Sequence, residues 1–439
     1  MSRKLPTGKE MRLVKEKLPV SQLYVGAYIE LPLKWNEHPF LRGRFLVKDE
    51  EQIGVIRQLG LEYVLLDPSR SKAPPPPASG ESPAQPDPPE NLEQFDARIK
   101  EAWKSKQALN AELQKRREDI RTAERQFKQT VAKVKDINNK MSHHPAQAIN
   151  EADELVATII HSLLSSEDNL VHLMSANNLD DSLYYHQINV SVLSLLMGRQ
   201  LLLSEEDMQL LGMAALLHDI GKIKVPPQIL RKKSALTKPE EGIWRLHPAY
   251  SREYLQKFLS QHPRVALIAE QHHEQADGSG FPHQLSASQM DPLSHVVIIA
   301  NYYDNLCNHP DPANSLTPHE ALSQMFARHA VKFDKVVLQQ FVKLMGIYPP
   351  GTLVHLSDGS LGIVLSLNRA ELLRPSIMLY DPNVPKEQAV IIDLNDAKEL
   401  SIKSSIRPSK LPEPVYQYLN PRERINYFFS LQQQDSRKQ

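Results

Sequence analysis

The chain has 439 residues, with 52 basic and 52 acidic side chains, a formal net charge of zero and one cysteine, Cys307. Zero net charge speaks against a general nucleic-acid-binding surface, and no DNA partner is expected. A single cysteine excludes an intrachain disulfide and a cysteine-based zinc finger.

Residues 1–17, MSRKLPTGKEMRLVKEK, are basic but lack an apolar core, so they do not read as a secretory signal. No run approaches the roughly 18 apolar residues of a membrane span, and a cytoplasmic protein is expected. Residues 18–68 read as a small α/β domain. VSQLYVGAYIEL suggests strand, turn and strand around Gly26. FLVKDEEQIGVIRQLGLEYVLLD suggests strand, helix and strand, with Asp49 as N-cap and Gly60 as C-cap signal. Residues 69–92 contain SKAPPPPASGESPAQPDPPE, a proline-rich linker with too little apolar surface to pack.

Residues 93–145 predict one long polar helix. Ile99, Leu113, Ile120, Phe127, Val134 and Met141 fall on one seven-residue register. Phe95, Ala102, Leu109, Ala123 and Ile137 occupy its partner positions, and Lys106, Arg116 and Thr130 interrupt the seam. The narrow stripe suits a dimerising coiled coil; the alternative is a helix packed along its own domain. Residues 146–348 are helical in pattern throughout. After YPPG the period switches to two, and residues 349–403 read as a small β module with a hairpin turn at Asp358-Gly359. The tail, 404–439, carries little signal. The fold class expected is multi-domain and mainly α: a helical metal domain, preceded by a small α/β domain and a long helix, followed by a β module.

Four clusters inside the helical domain carry donor side chains: His186, His218-Asp219 in LLHDIGK, His247 in RLHP, and His272-His273 in QHHEQADGSGFP. Taken singly, each has an ordinary explanation. His186 can be a packed histidine, His247 the first residue of a helix, His218-Asp219 a helix end capped by Gly221, and HHE a polar helix end. Taken together they are harder to dismiss, because LLHDIGK buries two ionisable groups behind an apolar run at a cost that metal coordination removes. Imidazole with carboxylate suits iron, manganese, zinc or nickel. Neighbours on a helix point about 100° apart, so HD and HH read as donors divided between two ions. Such a centre suits in-line attack on a phosphodiester. Lys222, one turn after Asp219, can neutralise a phosphate oxygen. Gly278 and Gly280 allow positive φ and close backbone approach to a ligand, and Pro282 fixes the exit from the loop.

HDIGK, the later HP and HHEQADGSGFP resemble the HD-GYP subgroup of the HD phosphohydrolase superfamily, over about residues 180–350. Residues 18–66 resemble a small N-terminal domain of unknown function often joined to it. The resemblance implies a cyclic di-GMP phosphodiesterase of bacterial second-messenger signalling, giving pGpG or GMP through a two-metal-activated hydroxide. It implies His186, His218, Asp219, His247, His272 and His273 as metal ligands, with Asp219 bridging. Lys222 is implied at the scissile phosphate, and Asp277, Gly278, Gly280, Phe281 and Pro282 in the substrate-facing loop.

Departures from the family accompany this match. Asn301 stands where the family carries the first aspartate of A-D-x-x-D-A-L and is expected as a metal ligand through its uncharged carbonyl oxygen, with weaker metal binding there; Asp304 is the less favoured substitute. Phe281 replaces the tyrosine of the GYP signature, and NHPDP replaces a basic R-P-Y segment. Ser182 stands where three-metal members carry glutamate, which favours two ions, iron or manganese. The partners expected are cyclic di-GMP, a second copy through the 93–141 helix, and signalling proteins. The alternatives are a catalytically weak cyclic di-GMP sensor and an enzyme for another nucleotide, including a mixed cyclic dinucleotide.

Overall fold

A computed structural model describes residues 16–33, 37–40, 43–72, 74, 92–165, 172–174, 181–232, 234–309, 311, 314–366, 373–382, 384–386, 389–395, 397–419, 425–428 and 431. Its residues form two compact units, Met1–Arg116 with Asp381–Val390, and Arg117–Tyr380 with Ile391–Gln439. The chain is mainly helical, with a small N-terminal sheet and a C-terminal sheet, as the sequence suggests. No described helix is long and apolar enough to cross a membrane.

In the first unit, β1 (Glu16–Pro19), β2 (Tyr28–Glu30), β3 (Arg44–Leu46), α1 (Glu50–Gln58) and β4 (Tyr63–Leu66) make an antiparallel sheet of order β1-β4-β2-β3 beside one helix. Ala27, Ile29, Ile53, Ile56 and Val64 fill its core. Asp49 caps α1 by accepting from the Gln52 amide at 2.8 Å, and Gly60 follows the helix at φ +69°. The first strand lies earlier than expected. It runs Glu16–Pro19, with Pro19 opposite Tyr63, and gives way to a 3-10 turn at Val20–Gln22. Most of the proline-rich linker, residues 75–91, lies outside the described residues.

Helix α2 (Leu92–Met141) has 50 residues and no glycine or proline. The coiled-coil expectation needs correcting for its C-terminal half. Ala123, Phe127, Val134, Ile137 and Met141 are buried in the core of the second unit, so that part of the seam is covered by the chain itself. Thr130 and Val131 are buried too, which widens the buried face beyond a two-position seam into the broad stripe of a globular helix. The side chains of Ile99, Leu113 and Ile120 lie outside the described residues. Phe127 stacks on Tyr185 at 5.8 Å between ring centroids. Phe127→Ala is therefore expected to cost about 3–5 kcal/mol of unfolding free energy without changing oligomeric state, measured by urea denaturation beside sedimentation.

The second unit continues through α3 (Pro145–Ser165), β5 (His172–Met174), α4 (Ser182–Gln200), α5 (Glu205–Leu217), α6 (Pro227–Leu230), α7 (Lys238–Trp244), α8 (His247–Phe258), α9 (Pro263–Gln271), α10 (Pro292–Cys307), α11 (Pro318–Ala327) and α12 (Lys335–Met345). Helices α4, α5 and α10 are apolar on nearly every side, as buried central helices must be. Each carries donor residues of the candidate site within or just beyond its apolar run.

Strands β6 (Leu353–Leu356), β7 (Leu361–Ser366), β8 (Ser376–Leu379), β9 (Ile391–Asp393) and β10 (Ile402–Ile406) form an antiparallel sheet of order β10-β6-β7-β8-β9, with Asp358-Gly359 at the expected turn. The segment read as a tail is structured. It supplies most of β10, then α13 (Glu413–Leu419), then β11 (Asn426–Phe428), which pairs with β5. Its contacts are distant in sequence, so no local periodicity announces them.

Candidate metal centre

Helix ends place most of the candidate ligands. His186 lies on α4; His218 and Asp219 follow the last turn of α5; His247 opens α8; His272 and His273 follow α9; Asn301 and Asp304 lie on α10. At the end of α5, Ser251 of α8 donates its hydroxyl to the His218 carbonyl at 2.6 Å and accepts from the Gly221 amide at 2.9 Å. It thereby satisfies backbone groups that a helix end leaves open. Gly221 is not a left-handed cap, as the sequence suggested. A Cβ there would lie 2.1 Å from the His247 carbonyl oxygen and 2.4 Å from the Ser251 nitrogen, so glycine permits backbone-to-backbone packing.

Three of the imidazoles share one local device. His218 donates Nδ1–H to the Ala215 carbonyl at 2.8 Å, His247 to Trp244 at 2.7 Å, and His272 to Ala269 at 2.6 Å. Each bond reaches three residues back along the chain. His186 instead directs Nδ1 to Asp304 Oδ2 at 2.6 Å. An imidazole that donates through Nδ1 has, in its neutral form, its lone pair on Nε2. These lone pairs converge: His186 and His218 Nε2 are 3.2 Å apart, and so are His247 and His272 Nε2.

Asp219 lies between the two pairs. Its Oδ2 is 3.3 Å from His218 Nε2 and 3.7 Å from His186 Nε2. Its Oδ1 is 3.3 Å from His247 Nε2 and 3.6 Å from His272 Nε2. Oδ1 is buried without a hydrogen-bond partner. Burial lowers the proton affinity of His218, and burial with neighbouring positive charge holds His272 and His273 well below the ordinary histidine range. Burial alone would raise the Asp219 carboxyl, but Lys222 and His218 outweigh it and hold the group well below the carboxylate range. Imidazole Nε2 atoms converging on a buried carboxylate that lacks a hydrogen-bond partner at Oδ1 form a donor set that fits cations. The donors form two clusters, His186–His218–Asp219 and His247–His272–His273, each with its donor atoms within 4.8 Å of one another.

The expected division of His272 and His273 between two ions is not what the structure places. Both belong to the second cluster, with ring centroids 4.2 Å apart. Helix α9 ends at Gln271, with His272 as its C-cap, and the two rings that follow lie side by side rather than facing different ions.

The loop after the histidines is ordered largely by its own residues. Glu274 accepts from the backbone amides of His283 at 2.6 Å and Leu285 at 2.9 Å. Asp277 Oδ1 accepts from the amide of Ser279 at 3.0 Å and from its hydroxyl at 2.6 Å. Gly278 has φ +76°, as expected. Gly280 serves differently from the expectation: a Cβ there would lie 2.4 Å from the Gln275 nitrogen and 2.5 Å from the Glu274 Cα, so the close approach is to the chain itself. Phe281, ahead of Pro282, stacks on His273 at 4.6 Å and 17° between planes. Gly280→Ala is expected to cost about 1–3 kcal/mol and to draw Phe281 off that ring; thermal unfolding checks the first, and the crystal structure of the variant the second.

Residues 15–152 match the family described as domain of unknown function DUF3391, and residues 158–337 match the HD domain family. The cyclic di-GMP phosphodiesterase PA4108 of Pseudomonas aeruginosa is 30% identical over 389 residues, 86% of this chain and 88% of that protein. The chain belongs to the HD-GYP family. The response regulator RpfG of Xanthomonas campestris, also named a cyclic di-GMP phosphodiesterase, is 36% identical over 140 residues, 32% of this chain and 37% of that protein. The 3'3'-cGAMP-specific phosphodiesterase 3 of Vibrio cholerae is 31% identical over 175 residues, 39% of this chain and 38% of that protein. Among solved structures, the HDG"Y"P protein Bd1817 of Bdellovibrio bacteriovorus aligns with TM-score 0.40 and 17% identity, covering 74% of this chain and 98% of that one.

Within this HD-GYP centre, Asn301 is buried beside the second cluster. Its amide nitrogen lies 3.4 Å from the His272 carbonyl oxygen, and its Oδ1 accepts from Asn305 at 2.8 Å. Asp304 buttresses His186: Oδ2 accepts from that ring, and Oδ1 accepts from Asn189 at 2.7 Å and Asn308 at 2.8 Å. Lys222 Nζ lies 2.5 Å from Asp219 Oδ2, with its side chain 24% exposed. Sequence reasoning missed Trp244, whose ring lies 4.8 Å from that of His247, the buried amide of Asn189 and the half-exposed amide of Asn308. Asn189 carried a signal, a polar side chain inside the apolar run of α4. Trp244 and Asn308 carried none.

Proposed function

We propose that this chain hydrolyses a 3'-5' phosphodiester of cyclic di-GMP to pGpG and/or GMP. Two divalent ions, iron or manganese, would be held by His186, His218 and Asp219 and by Asp219, His247, His272 and His273. The observation that carries the reading is the placement of Asp219, one oxygen toward each imidazole pair. When bound, such ions supply an activated water and neutralise charge on the phosphoryl oxygens.

The protein's own part is positioning and charge. Backbone carbonyls fix three ligand rings through Nδ1, so each presents Nε2 without reorganisation. Lys222 brings a positive charge to the edge of Asp219, where a phosphate oxygen can replace the carboxylate as its partner. Phe281 holds the His273 ring by stacking, and the loop Asp277–Pro282 forms the wall beside it. The names of the relatives support a cyclic dinucleotide as the substrate class, and PA4108, matched over 86% of this chain, supports cyclic di-GMP within it.

A second reading, a sensor that binds cyclic di-GMP and turns it over slowly, is favoured by Asn301. A neutral amide replaces a charged ligand, and its carbonyl is already engaged by Asn305. One assay separates the two. Protein purified without oxygen and loaded with Fe(II) or Mn(II) is given cyclic di-GMP or 3'3'-cGAMP, with Asp219→Ala as control. Turnover of cyclic di-GMP that the control lacks supports the enzyme. Binding without turnover moves the chain to the sensor class, and preference for 3'3'-cGAMP reassigns the substrate.

A further inference from the structure

The C-terminal strand β11 is buried against the centre of the helical unit. Asn426 and Phe428 are 0% exposed and Tyr427 is 1% exposed. Burial of a short strand whose backbone pairs on only one side would leave polar groups open, and two side-chain amides meet them. Asn308 accepts from the Ile425 N–H at 2.8 Å and donates to the Ile425 carbonyl at 2.8 Å, imitating a neighbouring strand. Asn189 accepts from the Tyr427 N–H at 3.1 Å and lies 3.0 Å from the Ile425 carbonyl oxygen.

The same two amides also touch Asp304. Asn189 Nδ2 lies 2.7 Å from Asp304 Oδ1, its shortest contact, and Asn308 Nδ2 lies 2.8 Å from that oxygen. An amide nitrogen has two hydrogens, so for each of these side chains one hydrogen goes to Asp304 and the other to the strand. The other carboxylate oxygen of Asp304 accepts from His186 Nδ1. Farther along the chain, Gln126 of α2 donates to the Leu431 carbonyl and accepts from the Leu431 amide, both at 2.7 Å.

We infer that residues 425–428 are a strap that positions the candidate metal ligand His186, acting through Asn189, Asn308 and Asp304. The strap orients the two amides, the amides orient the carboxylate, and the carboxylate sets the tautomer and direction of the imidazole. His186 belongs to only one of the two donor clusters, and the Nδ1 atoms of His218, His247 and His272 are held by local backbone instead. Loosening the strap therefore weakens one ion selectively.

The inference rests on the two-metal reading, and the test separates them. Full-length protein is stripped of metal and titrated with Mn(II) alone. Bound metal is counted by elemental analysis, with electron paramagnetic resonance to tell a coupled pair from an isolated ion. Wild type is expected to hold two Mn(II). Asn189→Leu, Asn308→Ala and Ile425→Pro, the last removing the strap's N–H to Asn308 together with the buried Ile425 side chain, are expected to weaken one ion by about 10–100-fold and leave an isolated-ion spectrum. Tyr427→Phe, in the strap but outside the chain of contacts to Asp304, is expected to keep both. Asn308 is half-exposed, so its variant carries the test if Asn189→Leu does not fold. Two ions retained at unchanged affinity in Asn308→Ala and Ile425→Pro overturn the positioning role. So does loss of both ions together with the helical circular dichroism, which marks general unfolding. Fewer than two ions in wild type overturns the two-metal reading, and this inference with it.

Discussion

Asp219→Ala is expected to remove binding of both ions and to lower phosphodiester turnover on the order of 10³-fold or more. No other described side chain offers one oxygen to each pair of imidazoles, so its loss takes a donor from both clusters at once. It also leaves the Lys222 ammonium, now beside Asp219 Oδ2, without its carboxylate partner and adding positive charge where cations must bind. Asp219→Asn sharpens the argument. It keeps the shape but turns one oxygen into an N–H donor, which points a hydrogen at one cluster and spares the other. The alanine protein should therefore bind no Mn(II) tightly, and the asparagine protein about one ion per chain at most. Elemental analysis after desalting reads both, and cyclic di-GMP turnover is followed in parallel. An alanine variant that keeps two ions and turnover within about tenfold of wild type would falsify the bridging role.

Gly221→Ala should damage the same centre from outside it. The added methyl would lie 2.1 Å from the His247 carbonyl oxygen, 2.4 Å from the Ser251 nitrogen and 2.8 Å from the Tyr250 carbonyl carbon. All three are backbone atoms, so no side chain can swing aside. The turn that follows Asp219 must move away from α8, which carries His247. The two clusters are built from opposite sides of that contact, and separating them pulls Asp219 from His247 and His272. A destabilisation of about 3 kcal/mol is expected, at the upper end for overpacking, together with loss of the second cluster's ion. Chemical denaturation measures the first and Mn(II) titration the second. Gly221→Ala with wild-type stability and two bound ions would show that the turn and α8 are less tightly apposed than the structure places them.

Much of this protein was legible in its sequence because the signals are local. The switch from helical to alternating period after Pro350, the cap at Asp49, the turn at Asp358-Gly359 and the ligand types in LLHDIGK and QHHEQADGSGFP each depend on a few neighbouring residues. Local chemistry also explains why histidines at helix ends recur, since the carbonyl three residues back is there to take Nδ1–H.

What the tertiary structure decided are the relations that sequence distance hides. The heptad of α2 reads equally as a dimer seam or a buried face, and only the packing of Phe127 on Tyr185 assigns its C-terminal half to the chain itself. His272 and His273 would diverge on a continuing helix, but α9 stops at Gln271 and both rings join one cluster. Gly221 and Gly280 are required by backbones that meet across the fold, not by turns of their own. The role of Asp304 behind His186 and the burial of the C-terminal strap depend on hydrogen bonds spanning more than a hundred residues. A single side chain states what it can donate or accept; which partner takes it up is set only when folding brings distant backbone and side chains to the same place.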